Sequence, residues 1–490
     1  MITWMCLIGL LLLIVIIFLP KLVNYGFSYK KFLFLVSWHG ELERGPYLMA
    51  GLILFLIKHN IDRCLYYFIF KQNSWNLLEY IFPLGFGIRE LAHKDLSFFL
   101  TMFIVAIPFL YIGVGLTLKR LRALQMPLGL TVFFFIPILN FLFFLLLSVL
   151  PSSGTSSSRE KKNSMRMILD KILPDSPMGS AVAAVLVATI LAFFGVLIGT
   201  VIFKDYGVSL FVAGPFALGL IAALLHGYHG PKSLRSCISV ASLSILMLSI
   251  FLLIFAFEGI ICIAMALPIG WVMAAFGSFV GYFIQRGCAS KNKTAGLVSF
   301  FILILPVLMG AEYAINPQPT LGAVTSYVDV DAPLGTVWNN VVAFPALPEP
   351  QDVLFKAGVA YPTHADIEGE GVGALRQCHF STGAFVEPIT AWEKNRLLAF
   401  DVVSQPPPMK ELSPYKDIHP AHLDNYLVSQ KGQFLLTPLP NGKIRLEGTT
   451  WYINKMWPEP YWRLWSDYII HEIHLRVLRH IKVISEARLN

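Results

Sequence analysis

The stretch GEGVGALRQCHFSTGAFVEPITAWEKNRLLAFDVV, residues 369–403, decides the fold of the C-terminal part of this 490-residue chain. It contains three runs rich in apolar and aromatic residues, separated by the short turns Thr382-Gly383 and Glu393-Lys394-Asn395. Runs of this length joined by turns this short are typical of antiparallel β-hairpins. The stretch therefore predicts three consecutive strands, at residues 374–381, 385–392 and 397–403.

The segments on either side extend these strands into one α+β domain. Upstream, VTSYVDVDAPLGTVWNN at 324–340 predicts a strand and then a short helix that begins near Pro333. Downstream, two more predicted strands, at 432–439 and 443–454, are separated by a Pro-Asn-Gly triplet that is typical of a hairpin turn. A long helix with an apolar stripe follows from Pro458. We expect the domain to occupy residues 323–490.

This order of elements resembles the helix-grip superfamily of START, Bet v 1 and polyketide-cyclase-like domains. The resemblance rests on VDVDAPLGTVW at 328–338, GEGVGALRQCHF at 369–380, AWEKNRLLAFDV at 391–402 and the terminal amphipathic helix. It implies a curved antiparallel sheet that wraps around the last helix, with a mainly apolar cavity between them. A shared fold does not by itself identify a ligand or a reaction.

The remaining two thirds of the chain have the composition of a polytopic α-helical membrane protein. Hydrophobic residues make up 56% of the chain and charged residues 14%, and the mean hydropathy is +0.64. We predict about nine spans, at residues 2–19, 47–57, 96–118, 127–150, 181–203, 208–225, 237–257, 259–284 and 295–314. Because residues 2–19 end at Pro20-Lys21 and not at small residues, we expect a retained first helix.

The predicted domains are a membrane block at 1–150, a basic, Ser-rich linker at 151–179, a second membrane block at 180–314 and the helix-grip domain at 323–490. The first block resembles the bacterial inner-membrane family called domain of unknown function 805. That resemblance rests on WHGELERGPYL at 38–48 and LTLKRLRALQMPLGL at 116–130, and it implies no chemistry.

Basic residues predict the orientation in the membrane. In the second block one side collects ten lysines and arginines from loops and linker, and the other side collects only Lys204. The basic side should be cytoplasmic. We therefore expect an extracytoplasmic C-terminal domain. The resemblance of the first block to domain of unknown function 805 implies that the membrane is the bacterial inner (cytoplasmic) membrane. Since the net charge of +8 comes from the membrane blocks, it does not indicate nucleic-acid binding.

The sequence predicts no metal site and no cofactor. None of the six cysteines forms a CxxC motif, and only Cys378 lies in the C-terminal domain. The segment His471-Glu472-Ile473-His474 places histidines three apart, whereas the zinc-protease motif needs four. The acidic residue Glu258 interrupts a long apolar stretch, and a water-facing turn there is favoured over an ion path.

The candidate ligand-binding residues are polar or aromatic side chains on the predicted strands and on the last helix. Arg476 and His480 are candidates because they fall on the apolar stripe of that helix, where a charge must be paired or must face a ligand. The full set is Arg376, His379, Glu447, Trp451, Trp465, Arg476 and His480. The proline-rich loop at 405–425, which carries Tyr415, His419 and His422, is either a lid over the cavity or a solvated surface loop.

These observations favour a non-catalytic function, in which the domain binds a hydrophobic or amphipathic small molecule, a lipid for example, beside the membrane. One alternative is a cyclase-like or hydrolase-like enzyme that uses His379, Glu447 or His480 as acid or base. Another is a transporter with the soluble domain as accessory. A transporter would be indicated by paired charges within the spans, and the sequence shows none.

Overall fold

The computed structural model describes residues 37–70, 96–135, 139–150, 164–287, 291–415 and 418–487. Its contacts divide the chain into two units. The first comprises residues 1–166 and 283–297, and the second comprises residues 167–282 and 298–490.

The first unit is helical. It contains α1 (Arg44–Phe70), α2 (Leu96–Ala123), a 3₁₀ helix (Leu128–Phe135) and α3 (Leu139–Val149). Arg120 lies inside α2 and is fully buried. Its guanidinium donates hydrogen bonds to the carbonyl oxygens of Leu147 (2.9 Å), Leu42 (3.1 Å) and Leu150. Arg120 thus satisfies carbonyls at the end of α3 that have no partner within the helix.

The remaining helices before the sheet are α4 (Ser164–Ile172), α5 (Pro177–Leu197), α6 (Gly214–His226), α7 (Leu234–Ile254), α8 (Ile260–Gly287) and α9 (Lys291–Ile315). Single π-helical turns extend α5 to Phe203 and precede α6 from Ser209. Small residues let α6 and α8 approach closely, because a Cβ on Gly219 would lie 1.9 Å from the carbonyl oxygen of Ala274. Such packing is typical of helices in membranes.

Six helices of the described residues are long and apolar enough to cross a membrane. They are Leu100–Ala123, Pro177–Phe203, Ser209–His226, Leu234–Ile254, Ile260–Gly287 and Thr294–Ile315.

The predicted count of nine is not confirmed. The span predicted at 2–19 lies outside the described residues. The span at 47–57 falls in α1, whose second half carries Lys58, Asp62 and Arg63. The span at 127–150 is split into the 3₁₀ helix and α3. Residues 136–138 between them lie outside the described residues.

The C-terminal domain is a seven-stranded antiparallel sheet with one long helix. The strands are β1 (Leu321–Val330), β2 (Pro362–Glu368), β3 (Leu375–Phe380), β4 (Gly383–Glu393), β5 (Leu397–Asp401), β6 (Leu427–Pro438) and β7 (Ile444–Asn454), and the sheet order is β1-β7-β6-β5-β4-β3-β2. The helices are α10 (Leu334–Val342), α11 (Val353–Lys356) and α12 (Glu459–Glu486). The predicted antiparallel sheet and long C-terminal helix are therefore confirmed, and their arrangement resembles a helix-grip fold, although β2 and α11 were not predicted.

The core of this domain lies between the sheet and α12. From α12, Val477, Leu478 and Ile481 are buried against Leu398 and Leu446 of the sheet. Trp338 of α10 packs edge-on against Trp392, with ring centroids 5.5 Å apart. These contacts fix α12 across the sheet, and the space left beside them is the candidate site.

Candidate ligand cavity

The sheet and α12 enclose a cavity of about 110 Å³. Side chains of β3 to β7 form one wall, and residues of α12 form the other. The wall is mainly apolar, and its aromatic members are Phe344, Phe380, Phe385, Phe400 and Phe434. A few polar groups face this apolar space, as is typical of sites for small molecules.

A buried ion pair between two strands is the main polar feature of the cavity. Arg376 and Glu387 stand opposite each other on β3 and β4, so their side chains share one face of the sheet. Nη1 of Arg376 donates to Oε2 of Glu387, and Nε donates to the carbonyl oxygen of Val342 at 3.3 Å. Burial raises the pKa of Glu387, and the positive charge of Arg376 opposes that shift.

One nitrogen of the same guanidinium has no hydrogen-bond partner among the described residues. Arg376 is 1% exposed, and its Nη2 is buried without an acceptor. The guanidinium carbon lies 5.7, 5.4 and 5.5 Å from the ring centroids of Phe344, Phe400 and Phe434. These rings stabilise the cation but cannot accept a conventional hydrogen bond. The cavity thus contains an unused donor.

Besides the ion pair, two titratable groups with shifted pKa values line the cavity, and neither is among the ligand-binding residues predicted from the sequence. Burial raises the pKa of Cys378 to about 12, so this side chain is a neutral thiol. Burial lowers the pKa of His474 to about 4, so its imidazole is neutral at physiological pH. The ring nitrogens of His474 lie 2.7 Å from Oγ1 of Thr450 and 3.2 Å from Oγ of Ser326.

Of the seven candidate residues, the structure places only Arg376 in the cavity wall. His379 pairs with Asp366 at 3.0 Å and stacks on His364. Glu447 and Trp451 alternate with the inward residues of β7 and so lie on its other face. Trp465 is half-buried on α12 and also lies outside the cavity wall.

The two polar residues on the stripe of α12 contact the segment that leads into β2 and the first residue of β2. Arg476 donates to the carbonyl oxygens of Pro362 (3.1 Å) and Pro348 (2.7 Å). His480 packs edge-on against Phe344 at 6.3 Å. Since the apolar stripe covers both the cavity and this segment, a position on the stripe does not place a residue in the cavity. Any role of these two residues in ligand binding would be indirect.

The long loop between β5 and β6 does not cover the cavity in the way the lid hypothesis required. Leu412 accepts a hydrogen bond from the backbone of Ile260 (2.9 Å), and the Tyr415 hydroxyl donates to the carbonyl oxygen of Ile254 (2.5 Å). The loop therefore rests on the turn between α7 and α8. That turn was predicted around Glu258, but the carboxylate is buried and does not face water.

Comparisons with known proteins find similarity to solved structures only. No family model matches, so the resemblance of the first block to domain of unknown function 805 receives no support. No curated protein matches either.

Among the solved structures, the Zhui aromatase/cyclase from Streptomyces sp. R1128 is 15% identical, with 35% of this chain and 97% of that chain covered and a TM-score of 0.24. Norcoclaurine synthase from Thalictrum flavum is 11% identical, with 36% and 99% covered and a TM-score of 0.24. A protein from Nitrosospira multiformis is 15% identical, with 34% and 99% covered and a TM-score of 0.21. These similarities extend over about a third of the chain and assign no activity to it.

Proposed function

We propose that the C-terminal domain binds a small hydrophobic or amphipathic molecule in the cavity between its sheet and α12, without catalysing a reaction. The favoured ligand class is a lipid. The candidate spans would tether the domain to the bacterial inner membrane, and the loop charges favour its extracytoplasmic side. The apolar wall favours a ligand with an apolar body, and the Arg376–Glu387 ion pair favours a ligand with one polar group.

The unpartnered Nη2 of Arg376 carries the proposal. A buried donor without an acceptor costs about 1–3 kcal/mol, and a ligand oxygen at that position would remove this cost. Glu387 already balances the charge of the guanidinium. A neutral acceptor, such as an ester or ketone carbonyl, therefore fits better than a second anion, whose burial would cost more.

The volume of the cavity limits what it can enclose. At about 110 Å³ it is somewhat smaller than the roughly 150 Å³ cavity that holds benzene. The enclosed group would then be a small ring or a short alkyl segment next to the carbonyl. A lipid would insert only part of itself, unless the phenylalanine side chains of the wall move apart.

The titratable groups of the cavity support binding over catalysis. A general acid or base works best when its pKa lies near the working pH. The pKa of Cys378 is raised to about 12, the pKa of His474 is lowered to about 4, and Glu387 is paired with Arg376. None of the residues proposed for the enzymatic alternative, His379, Glu447 and His480, lines the cavity.

The transporter alternative gains nothing from the acidic residue in α9. Glu312 is buried, and its carboxylate accepts hydrogen bonds from the backbone N–H groups of Val208 (2.6 Å) and Ser209 (2.8 Å). Those groups lie at the start of the π-helical turn that leads into α6. A carboxylate at a helix start caps free N–H groups and is stabilised by the helix dipole. Glu312 therefore has a structural explanation.

The experiment is mass spectrometry of small molecules extracted from the full-length protein purified in mild detergent. The test variant is Arg376→Met combined with Glu387→Leu, because replacing a buried pair by apolar residues is often neutral for stability. The matched control is Arg445→Met combined with Asp329→Leu, which removes an accessible pair on the other face of the sheet.

The wild-type protein and the control should retain the same molecule, and the test variant should lose it. Equal retention in all three proteins would contradict the proposal. An empty wild-type protein that turns over a polyketide-like ester would support the enzymatic alternative.

A further inference from the structure

A second buried cluster of polar side chains lies where the loop between β5 and β6 contacts the turn between α7 and α8. Glu258 and Cys262 come from the turn and from the first helical turn of α8. Glu411 and His422 come from the loop. Their exposed fractions are 9% for Glu258, 7% for Cys262, 7% for Glu411 and 6% for His422. The cluster is separate from the ligand cavity and does not depend on its proposed function.

The donor atoms of these side chains converge. Sγ of Cys262 contacts Oε1 of Glu411 and lies 2.7 Å from Nε2 of His422. Nδ1 of His422 lies 3.4 Å from Oε2 of Glu258. One donor atom from each of Glu258, Cys262 and His422 can be chosen so that all three lie within 4.8 Å of one another. Sulfur, nitrogen and oxygen donors therefore share one small buried volume.

Three atoms of this cluster lack a hydrogen-bond partner in the part of the chain that the structure describes. They are Oε2 of Glu258, Oε2 of Glu411 and Nδ1 of His422. Within the same described part, neither carboxylate has an ion pair with a lysine or an arginine. Buried carboxylates are normally paired or coordinate a metal. Oε2 of Glu258 faces Nδ1 of His422 at 3.4 Å, and Oε2 of Glu411 has no partner among the described residues, so a bound cation would balance these two buried carboxylates.

The backbone is shaped to bring the loop carboxylate close to the turn. A Cβ on Gly259 would lie 1.9 Å from Oε2 of Glu411, so a larger residue at position 259 would displace the carboxylate. On the other side, the hydroxyl of Tyr206 donates a hydrogen bond of 3.0 Å to Oε1 of Glu258 and orients that carboxylate. Groups that orient metal ligands in this way are a regular feature of metal sites.

We propose that Glu258, Cys262 and His422 bind a zinc ion, with Glu411, whose Oε1 contacts Sγ of Cys262, as the fourth ligand. Thiolate, imidazole and carboxylate are the ligands that zinc takes in proteins, whereas calcium and magnesium prefer oxygen alone. Tetrahedral bonds of 2.0–2.3 Å place donor atoms about 3.3–3.8 Å apart. The Cys262 and His422 donors would therefore move apart by about 1 Å as the ion binds.

Four protein donors fill a tetrahedral site, which is the arrangement of structural zinc. This zinc ion would fasten the loop of the C-terminal domain to the turn between two candidate spans. The ligands Cys262 and His422 are 160 residues apart in the chain. For that reason no local spacing motif marks the site, and the sequence predicted no metal.

The test measures metal binding to the full-length protein in detergent, after removal of any affinity tag and extraction of metals with a chelator. Zinc is added, excess is removed by gel filtration, and the bound metal is counted by mass spectrometry. In parallel, Co²⁺ is titrated, because a cobalt–thiolate bond gives an intense charge-transfer band in the near ultraviolet. We expect one zinc ion per chain and a cobalt–thiolate band in the wild-type protein.

Four variants locate the ion. Cys262→Ser should abolish the cobalt–thiolate band, and His422→Gln should weaken zinc binding by more than about 100-fold. Tyr206→Phe should weaken it by about 10- to 100-fold, the usual effect of removing a group that orients a ligand. Cys237→Ser, which changes a buried cysteine of α7, should leave stoichiometry and spectrum unchanged.

Two results would overturn the proposal. The first is a wild-type protein without the cobalt–thiolate band, and this result does not depend on whether any variant folds. The second is zinc binding that survives Cys262→Ser and His422→Gln but is lost in His364→Gln. That outcome would assign the ion to the other group of potential donors, His364, Asp366 and His379.

Discussion

Acidification should destabilise the C-terminal domain through His474. Burial lowers the pKa of this imidazole to about 4, and the neighbouring His471 adds to the shift. In the unfolded chain a histidine has a pKa near 6.5. Between these two values the unfolded state binds more protons than the folded state. The contribution of His474 to the stability of the folded domain is therefore fully present above about pH 6.5 and is lost as the pH falls towards 4.

The size of the effect follows from the two pKa values. At about pH 5 the unfolded state is favoured by up to about 2 kcal/mol relative to neutral pH, and below about pH 4 by up to about 3 kcal/mol. For a domain of this size, 2 kcal/mol corresponds to a fall in Tm of about 4–8 °C. Other groups titrate in the same range, so the contribution of His474 must be isolated by difference.

The assay compares the wild-type protein with His474→Gln at neutral pH and at about pH 5. Modification of Cys378 by a thiol reagent, followed by mass spectrometry as the temperature rises, reports on this domain alone because that cysteine is buried in it. The unfolding temperature of the wild-type protein should fall more on acidification than that of His474→Gln, by about the 4–8 °C given above. Equal shifts in the two proteins would show that His474 is not held neutral by its surroundings.

Three further predictions concern the ion pair, the core and the topology. Arg376→Met alone should destabilise the domain by about 3–5 kcal/mol, and adding Glu387→Leu should restore most of that loss; thermal unfolding that finds the double variant as unstable as the single one would contradict this. Trp338→Ala should cost about 3–5 kcal/mol because Trp338 is 2% exposed, whereas the half-buried Trp465→Ala should cost less in the same measurement; equal losses would contradict the burial argument. A reporter fused after Asn490 should be active only outside the cytoplasm, and activity restricted to the cytoplasm would overturn the argument from loop charges.

The sheet and its helix could be predicted because their signals are local. Thr382-Gly383 and Glu393-Lys394-Asn395 fix the hairpins of β3, β4 and β5, and the structure places turns at both positions. β2 was missed because its segment, PTHADIE, begins with proline and contains four polar residues with no clear alternation. As an edge strand it needs fewer apolar residues, since only one of its sides is paired.

The cavity could be predicted only in part. Arg376 is predicted as a candidate because it is a polar residue on a predicted strand, and it lies in the cavity wall. His474 was set aside as part of a poor metal motif, although its ring lines the cavity. A helical wheel gives the direction of a side chain but not the element that it meets. On α12, His474 meets the cavity, whereas Arg476 meets Pro348 before β2 and Pro362 at the start of β2.

The zinc cluster could not be predicted at all, and the reason is physical. A local motif works when the backbone of one helix or hairpin sets the distance between ligands, as in a pair of histidines four apart on a helix. Here Cys262 is placed by a turn between two candidate spans and His422 by a loop of the sheet, so only the docking of the domain sets their separation of 2.7 Å. Residues 405–425 read as a lid or a solvated loop because their sequence carries no information about the surface below them. The same docking explains why Glu258 is buried although its turn was correctly predicted, since the hydrophobic stretch determines where the chain turns and not what covers the turn.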